Sequence, residues 1–133
     1  MRILLVEDHQ DTRNTLTRLL THWGFDVSAA ENLQSGLDQL NSEPIDAIVS
    51  DIGLPDGTGY ALISEARRRR GNDFLAIALS GFGFSTEVQV AKQTGFDHHL
   101  SKPFDCHQLR SLLEQQIARQ TVVPDLADGT ASA

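Results

Sequence analysis

The chain has 133 residues, with 40% apolar residues, 22% charged residues and a formal net charge of −7 at pH 7. This length suits one domain and excludes two of ordinary size. The negative charge argues against non-specific binding to nucleic acid or anionic membranes. A single cysteine, Cys106, excludes an internal disulfide framework. Because no apolar run could span a membrane and no signal-peptide pattern opens the chain, we expect a cytoplasmic domain without a membrane segment.

Short apolar runs alternate with amphipathic stretches along the first 120 residues. The runs predict strands over residues 3–6, 25–30, 45–50, 74–79 and 98–101. Apolar residues at helical spacing predict intervening helices that include residues 16–23, 33–40, 59–70, 85–93 and 109–117. Between the third strand and the third helix, residues 53–57 are dense in turn formers. Asp105 is a candidate N-cap for the last helix, with Gln108 as its capping-box partner.

Strict alternation of strand and helix predicts an α/β fold of the (βα)5 type. Parallel strands joined by right-handed crossovers form a doubly wound sheet of five strands, with helices on both faces. We expect this domain to cover residues 1–120. Residues 121–133 lack periodicity and are rich in small and polar residues, so they are predicted to be a disordered tail or linker.

Chemically active side chains follow four of the predicted strands. Glu7 and Asp8 follow the first strand, and Asp51 follows the third. Ser80 follows the fourth strand and Lys102 the fifth. Open α/β sheets bind ligands outside the carboxyl ends of their strands. We therefore expect three carboxylates, one hydroxyl and one ammonium group to converge at this edge.

Three carboxylates in one place repel one another, and a hard divalent cation relieves that repulsion. The candidate ligands are oxygen atoms without cysteine or paired histidine, which indicates Mg²⁺ (or Mn²⁺) rather than zinc. A site that combines such a cation with carboxylates, a hydroxyl and a lysine suits a phosphoryl group. A carboxylate can act as the nucleophile and form an aspartyl phosphate.

At five places the chain resembles the receiver domain of two-component response regulators. The matching segments are Glu7-Asp8, Asp51, Leu54-Pro55-Asp56-Gly57, Ser80-Gly81 and Lys102-Pro103-Phe104. Each segment alone is weak, since acidic residues also cap helices and occupy turns. Agreement of spacing, strand context and residue type at all five is specific. The resemblance covers about residues 1–120 and implies a flavodoxin-like fold with strand order 2-1-3-4-5.

The resemblance also implies a role for each site residue. Asp51 is the phosphoacceptor, Lys102 contacts the phosphoryl group, and Ser80 is the switch hydroxyl. The metal ligands are Asp51 itself, Glu7, Asp8 and the backbone carbonyl of Gly53. Aspartate-nucleophile phosphatases need a second acid two residues after the nucleophile, where this chain has Gly53. We therefore expect no enzyme acting on outside substrates, only a domain that catalyses its own phosphorylation and dephosphorylation.

Partners follow from the same resemblance. The phosphoryl donor is expected to be a histidine kinase or a phosphotransfer domain. The output face is expected to comprise the predicted fourth helix, fifth strand and fifth helix, and to bind a downstream protein; homodimer formation is left open. A single-domain regulator and the receiver of a hybrid histidine kinase remain alternatives, with a phosphorylation-independent interaction module as a third. The basic run from Arg67 to Arg70 is either a helix C-terminus that complements the macrodipole or a docking patch for an acidic partner.

Two positions depart from the family's commonest pattern. The switch aromatic expected three residues before Lys102 is His99 here, and a bulky Phe82 stands two residues after Ser80. An imidazole can gain a proton near neutral pH, whereas a phenol or phenyl ring cannot.

We therefore hypothesise that His99 couples activation to pH. Phosphorylation-dependent partner binding by the wild type should change between about pH 6 and pH 8, and binding by His99→Tyr should not. Identical pH profiles for the two proteins, measured by titration calorimetry, would contradict the hypothesis.

Overall fold

The computed structural model describes residues 1–71, 73–80, 95–102 and 105–126. The predicted loop at residues 81–83 and the predicted helix at 85–93 lie outside the described residues. The described elements, in chain order, are β1 (Arg2–Val6), α1 (Gln10–His22), β2 (Asp26–Ala30), α2 (Leu33–Ser42), β3 (Ala47–Asp51), β4 (Gly53–Leu54), β5 (Gly57–Thr58), α3 (Gly59–Arg70), β6 (Leu75–Ser80), β7 (His98–Ser101) and α4 (Cys106–Leu126).

Five strands form one parallel sheet in the order β2-β1-β3-β6-β7. Counted within this sheet alone, that is the predicted order 2-1-3-4-5, and the flavodoxin-like fold is confirmed. The central strands β1, β3 and β6 are buried along almost their whole length, as expected of parallel strands covered on both faces. β2 lies at one edge and alternates between buried and exposed residues.

Successive side chains of each strand point to opposite faces of the sheet, so each face has its own set of buried residues. Leu4, Val6, Ile48 and Ala76 belong to one buried cluster that also contains the inward residues of α2 and α3. The crossover through α1 leads outward from β1 to β2, whereas the crossover through α2 returns past β1 to β3. Because both crossovers are right-handed, α1 lies on the face opposite α2. Leu16 and Leu20 are its buried residues.

The segment between β3 and α3 was predicted to be a turn, and the structure shows a small antiparallel ribbon around it. β4 pairs with β5, with Gly53 opposite Thr58. The Asp56 carboxylate accepts hydrogen bonds from the backbone N–H groups of Leu33 and Gln34, at 2.7 and 3.0 Å. The ribbon is thereby tied to the N-terminus of α2, where free N–H groups favour negative charge.

Close backbone packing explains the glycine that begins α3. A Cβ atom at Gly59 would overlap the backbone carbonyl oxygen of Asp51. The N–H of Gly59 donates to the carbonyl of Ile52 at 2.8 Å, and Thr58 caps the helix by accepting from the N–H of Ala61 at 3.2 Å. The chain therefore reverses tightly after Asp51, and this turn holds the end of β3 in place.

Residues 104–133 form a second compact unit, within which α4 is the described element. Asp105 accepts a hydrogen bond from the N–H of His107 at 2.9 Å, as predicted for a cap. α4 continues to Leu126, past the predicted end of the domain at residue 120. None of the helices in the described part of the chain has the length and apolar character that crossing a bilayer requires.

The basic run at the end of α3 makes contacts within the protein. Arg68 and Arg69 pair with Glu65, and Arg70 donates to the carbonyls of Leu40 and Glu43 at 2.6 Å. These contacts favour a structural role over a docking patch.

Arg67 has the most extensive contacts of the four arginines. Its guanidinium lies 4.1 Å from the Phe74 ring centroid and donates to the carbonyl of Phe74 at 3.0 Å. It also donates to the carbonyl of Gly95 at 2.7 Å and to Asp97 at 2.9 Å. The C-terminal end of α3 is thus bound to the residues that directly precede β6 and β7.

We expect Arg67→Lys to lower the free energy of unfolding by about 1–3 kcal/mol, because an ammonium cannot replace a planar fork that serves several acceptors. Urea denaturation measures the change. Arg68→Lys is the control, since that exposed side chain pairs with Glu65 and its replacement should lower stability much less than Arg67→Lys does. Equal losses in the two variants would contradict this account of Arg67.

Candidate functional site

The site is built at the carboxyl edge of the sheet. β1 and β3 are adjacent and in register, with Val6 opposite Ser50, so Glu7 and Asp51 emerge side by side. β6 and β7 pair with Ser80 opposite Ser101, and the N–H of Lys102 donates to the carbonyl of Ser80 at 2.6 Å. The sheet register therefore brings the ends of four strands to one place.

A three-way contact lies at the centre of the site. The Lys102 ammonium nitrogen is 2.7 Å from Glu7 Oε1 and 2.8 Å from Asp51 Oδ1. Glu7 is completely buried, and the Asp51 side chain is only 9% exposed. Buried carboxylates require a charge partner, and Lys102 supplies one to both.

The two buried carboxyl groups influence each other's protonation. Burial and, after it, the hydrogen-bonded Glu7 carboxyl together raise the pKa of Asp51 to about 7, against the opposing effect of Lys102. Burial would also raise the pKa of Glu7, but hydrogen bonds with Asp51, Lys102 and the N–H of His9 outweigh it and lower that pKa to about 2. The pair therefore binds one proton as the pH falls below about 7, mainly on Asp51.

The donor set fits a hard divalent cation. Carboxylate oxygens of Glu7, Asp8 and Asp51 all lie within 4.8 Å of one another, together with a ring nitrogen of His9. Burial first and the Glu7 carboxyl second raise the pKa of Asp51, so added positive charge would favour its ionised form. Oxygen ligands of this kind suit Mg²⁺. Asp8 is partly exposed, so solvent reaches the outer side of the cluster.

The remaining predicted residues adjoin this centre. Ser80 is buried at the end of β6, one residue beyond the partner of Asp51 in the β3–β6 ladder. Gly53 begins the ribbon two residues after Asp51, and its carbonyl remains a predicted ligand. His99 lies opposite Ala78 in β7. Within the described residues, its Nε2 atom is buried and has no hydrogen-bond partner.

The sequence analysis did not predict two residues that contact the acid pair, His9 and Arg13. His9 places its Nδ1 atom 3.2 Å from Glu7 Oε2 and 3.3 Å from Asp8 Oδ1. Arg13, six positions after Glu7, donates to the carbonyl of Glu7 at 3.0 Å and thereby supports the loop that carries both acids. For His9 the available signal was its position directly after the acid pair. For Arg13 the sequence carries no comparable signal.

Comparisons with known proteins identify the family of the chain. A family model described as the response regulator receiver domain matches residues 3–114. The 14.6 kDa protein of the sodA1 3′ region of Leptolyngbya boryana is 35% identical over 116 residues, or 86% of this chain and 88% of that protein. The KDP operon transcriptional regulatory protein KdpE of Escherichia coli is 35% identical over 125 residues, or 92% of this chain and 55% of that protein.

The fold has a close structural counterpart as well. A CheY-like response regulator receiver domain protein from Methanospirillum hungatei JF-1 superposes with a TM-score of 0.83, covering 90% of this chain and 95% of that chain at 24% identity. With the family match over residues 3–114, the conclusion is plain. The chain belongs to the receiver domains of two-component response regulators.

The coupling of Glu7 and Asp51 predicts a pH-dependent stability. The folded-state pKa of Asp51 is about 7 against an ordinary 3.8, so the folded protein holds a proton that the unfolded chain releases. Stability from this group is therefore lost as pH rises from about 4 to about 7. With divalent cations chelated, Asp51→Asn should be more stable than wild type at pH 8 by on the order of 2 kcal/mol, and much less so at pH 5.

Thermal unfolding of both proteins across this pH range measures the difference. Asp38→Asn is the matched control, because Asp38 is an exposed carboxylate of α2 away from the pair. A stability difference between Asp51→Asn and wild type that does not change with pH would contradict the shared-proton account.

Proposed function

We propose that Asp51 accepts a phosphoryl group from the phosphohistidine of a histidine kinase or phosphotransfer domain, in a Mg²⁺-dependent reaction that changes partner binding. The observation that carries this proposal is the contact of one ammonium group, Lys102, with two buried carboxylates, Glu7 and Asp51, at the strand ends. Receiver domains interact with histidine kinases and downstream effectors, and the family membership of the chain supports the same class of partners.

In the proposed transfer, an Asp51 carboxylate oxygen attacks phosphorus. The bond from phosphorus to the donor's imidazole nitrogen breaks, and the departing imidazole keeps the electron pair and takes up a proton from solvent. Asp51 must be ionised to attack, so the proton that it shares with Glu7 has to leave first. Lys102 lies 2.8 Å from the attacking carboxylate and can neutralise charge on the transferred group.

The cation would be held by Glu7, Asp8 and Asp51, with the carbonyl of Gly53 as a further ligand. When bound, Mg²⁺ supplies positive charge that lowers repulsion between the incoming phosphoryl oxygens and these acids. The same charge favours the ionised form of Asp51. Ser80 is buried at the end of β6, where its carbonyl accepts from the N–H of Lys102, and in this proposal its hydroxyl would donate to a phosphoryl oxygen after transfer.

The proposed role is signalling and not turnover of outside substrates. Gly53 supplies no side chain at the position where a second acid would assist a leaving group. The phosphoryl group would leave Asp51 only by the domain's own hydrolysis or by transfer back to a phosphotransfer partner. Partner binding would change through the surface that adjoins Ser80 and His99, as a shift between pre-existing conformations.

Incubation with Mg²⁺ and acetyl phosphate, followed by intact mass measurement, tests the proposal. Wild type should gain one phosphoryl group, and Asp51→Asn or addition of a chelator should abolish the gain. Asp38→Asn, an exposed carboxylate variant, should behave as wild type. A gain that survives in Asp51→Asn, or no gain in wild type, would overturn the proposal and favour a phosphorylation-independent module.

Lys102→Gln should slow phosphorylation by on the order of 100-fold, because it removes a positioned cation from the transition state. Mg²⁺ affinity should stay equal or rise, because Lys102 no longer competes for Glu7 and Asp51. Initial rates and calorimetric Mg²⁺ titration separate the two effects. Loss of Mg²⁺ binding alone, with a normal rate at saturating Mg²⁺, would contradict this role for Lys102.

A further inference from the structure

The carboxylate of Asp56 joins the loop that follows Asp51 to a different part of the fold. We propose that Asp56 is a positioning residue for the site: by capping α2 from outside that helix, it fixes the ribbon of β4 and β5 and with it the backbone of Gly53. This inference rests on the proposed function, in which the carbonyl of Gly53 is a cation ligand. Asp56 itself touches neither the cation nor the phosphoryl group.

Asp56 completes a helix cap that α2 does not complete with its own residues. The first N–H groups of a helix have no partners within it. Asn32, the N-cap residue, accepts from the N–H of Ser35 at 2.8 Å through its side chain and from the N–H of Gly36 at 3.0 Å through its carbonyl. The N–H groups of the first two helical residues donate instead to the two oxygens of Asp56, at 2.7 and 3.0 Å. Since the first turn of α2 contains no acidic residue, Asp56 also supplies the negative charge that a helix N-terminus favours.

The first turn of α2 is itself fixed against the strand that leads to the acids. A Cβ atom at Gly36 would lie 3.2 Å from a methyl carbon of Val6, so the helix backbone runs close to the end of β1. Glu7 follows Val6 directly in the chain. Leu33 packs against the same buried cluster to which Val6 belongs. A ribbon that is bound to this turn of α2 is therefore held at a defined distance from the end of β1.

The ribbon depends on Asp56 because little else fixes its tip in the described part of the chain. Residues 53 and 55–58 are exposed, and Leu54 is partly buried. The ladder consists of two residue pairs, and a two-stranded ribbon is marginally stable at best by itself. Its base is closed by the hydrogen bond from Gly59 to Ile52, whereas its tip carries Asp56. The tip is therefore held mainly through α2.

Release of the tip would reach the cation site through the ladder. Gly53 pairs with Thr58 at the base of the ribbon, within the same two-pair ladder. Without the Asp56 carboxylate, a cation that uses the Gly53 carbonyl would have to order the ribbon on binding, and such ordering costs binding free energy. The coupling is reciprocal, because two interactions that favour one conformation strengthen each other. Cation binding should therefore also strengthen the hydrogen bonds between Asp56 and α2.

A purely structural role for Asp56 is the alternative, in which it stabilises α2 and has no effect on the cation site. Asn32→Ala separates the two roles, because it removes the other side-chain cap of the same helix end without a change in charge. If Asp56 acts only through the stability of α2, the two variants should change Mg²⁺ affinity equally. Asp38→Asn controls for the loss of one carboxylate, since Asp38 is an exposed residue of α2.

Calorimetric titration of the full chain with Mg²⁺ measures these effects. Asp56→Ala should weaken Mg²⁺ binding about tenfold, as loss of an outer partner of a metal site does, and Asn32→Ala and Asp38→Asn should each change it less than about twofold. Asp56→Asn keeps one oxygen acceptor and should have an intermediate affinity. A wild-type affinity in Asp56→Ala, or an equal loss in Asn32→Ala, overturns the proposal.

Amide hydrogen exchange gives a second readout that includes the unaltered protein. Saturating Mg²⁺ should slow exchange of the N–H groups of Leu33 and Gln34 in wild type, and Asp56→Ala should abolish this slowing. Exchange at these two amides that does not respond to Mg²⁺ in wild type overturns the proposal. Phosphorylation of wild type, together with an unaltered Mg²⁺ affinity in Asp56→Ala, refutes only the role of Asp56. Absence of both Mg²⁺ binding and phosphorylation in wild type refutes the proposed function itself.

Discussion

The contact of Lys102 with Glu7 and Asp51 is the constraint on which the site depends. It joins the ends of β1, β3 and β7, which are far apart in the chain. Without Lys102, the buried carboxyl groups of Glu7 and Asp51 would lack the charge partner that burial requires. Even with Lys102 present, burial and the Glu7 carboxyl keep the pKa of Asp51 raised. Further positive charge, such as that of a metal ion, would therefore stabilise the ionised site.

The fold around this contact fixes the position of Asp51. The turn after β3 is closed by Gly59, where only a residue without Cβ fits against the carbonyl of Asp51. The ribbon that follows is tied to α2 by the carboxylate of Asp56. The loop after β1 is held by Arg13 through the carbonyl of Glu7. Each tie uses backbone groups that would otherwise lack partners, so the support of the site also satisfies the ends of helices and strands.

Much of the fold could be predicted because its signals are local. Buried parallel strands read as short apolar runs, and the predicted bounds of α3 and β7 agree with the structure. The predictions from sequence were incomplete where local signals compete. The turn at residues 53–57 contains a paired ribbon, because turn residues do not show whether their flanks pair. For the basic run of α3 the sequence left two interpretations open, because Arg67 and Arg70 bind carbonyls that only the folded chain brings near.

By itself, the sequence determined the class of fold, the strand order through a family resemblance, and the residues Glu7, Asp8, Asp51, Ser80 and Lys102 as strand-end groups. Periodicity and position are properties of the chain, so they can be read from it. Only the tertiary structure decided that Lys102 bridges Glu7 and Asp51 and that the imidazole of His9 joins the acids. Those contacts depend on strand register and side-chain direction to within about an ångström, which no spacing along the sequence specifies.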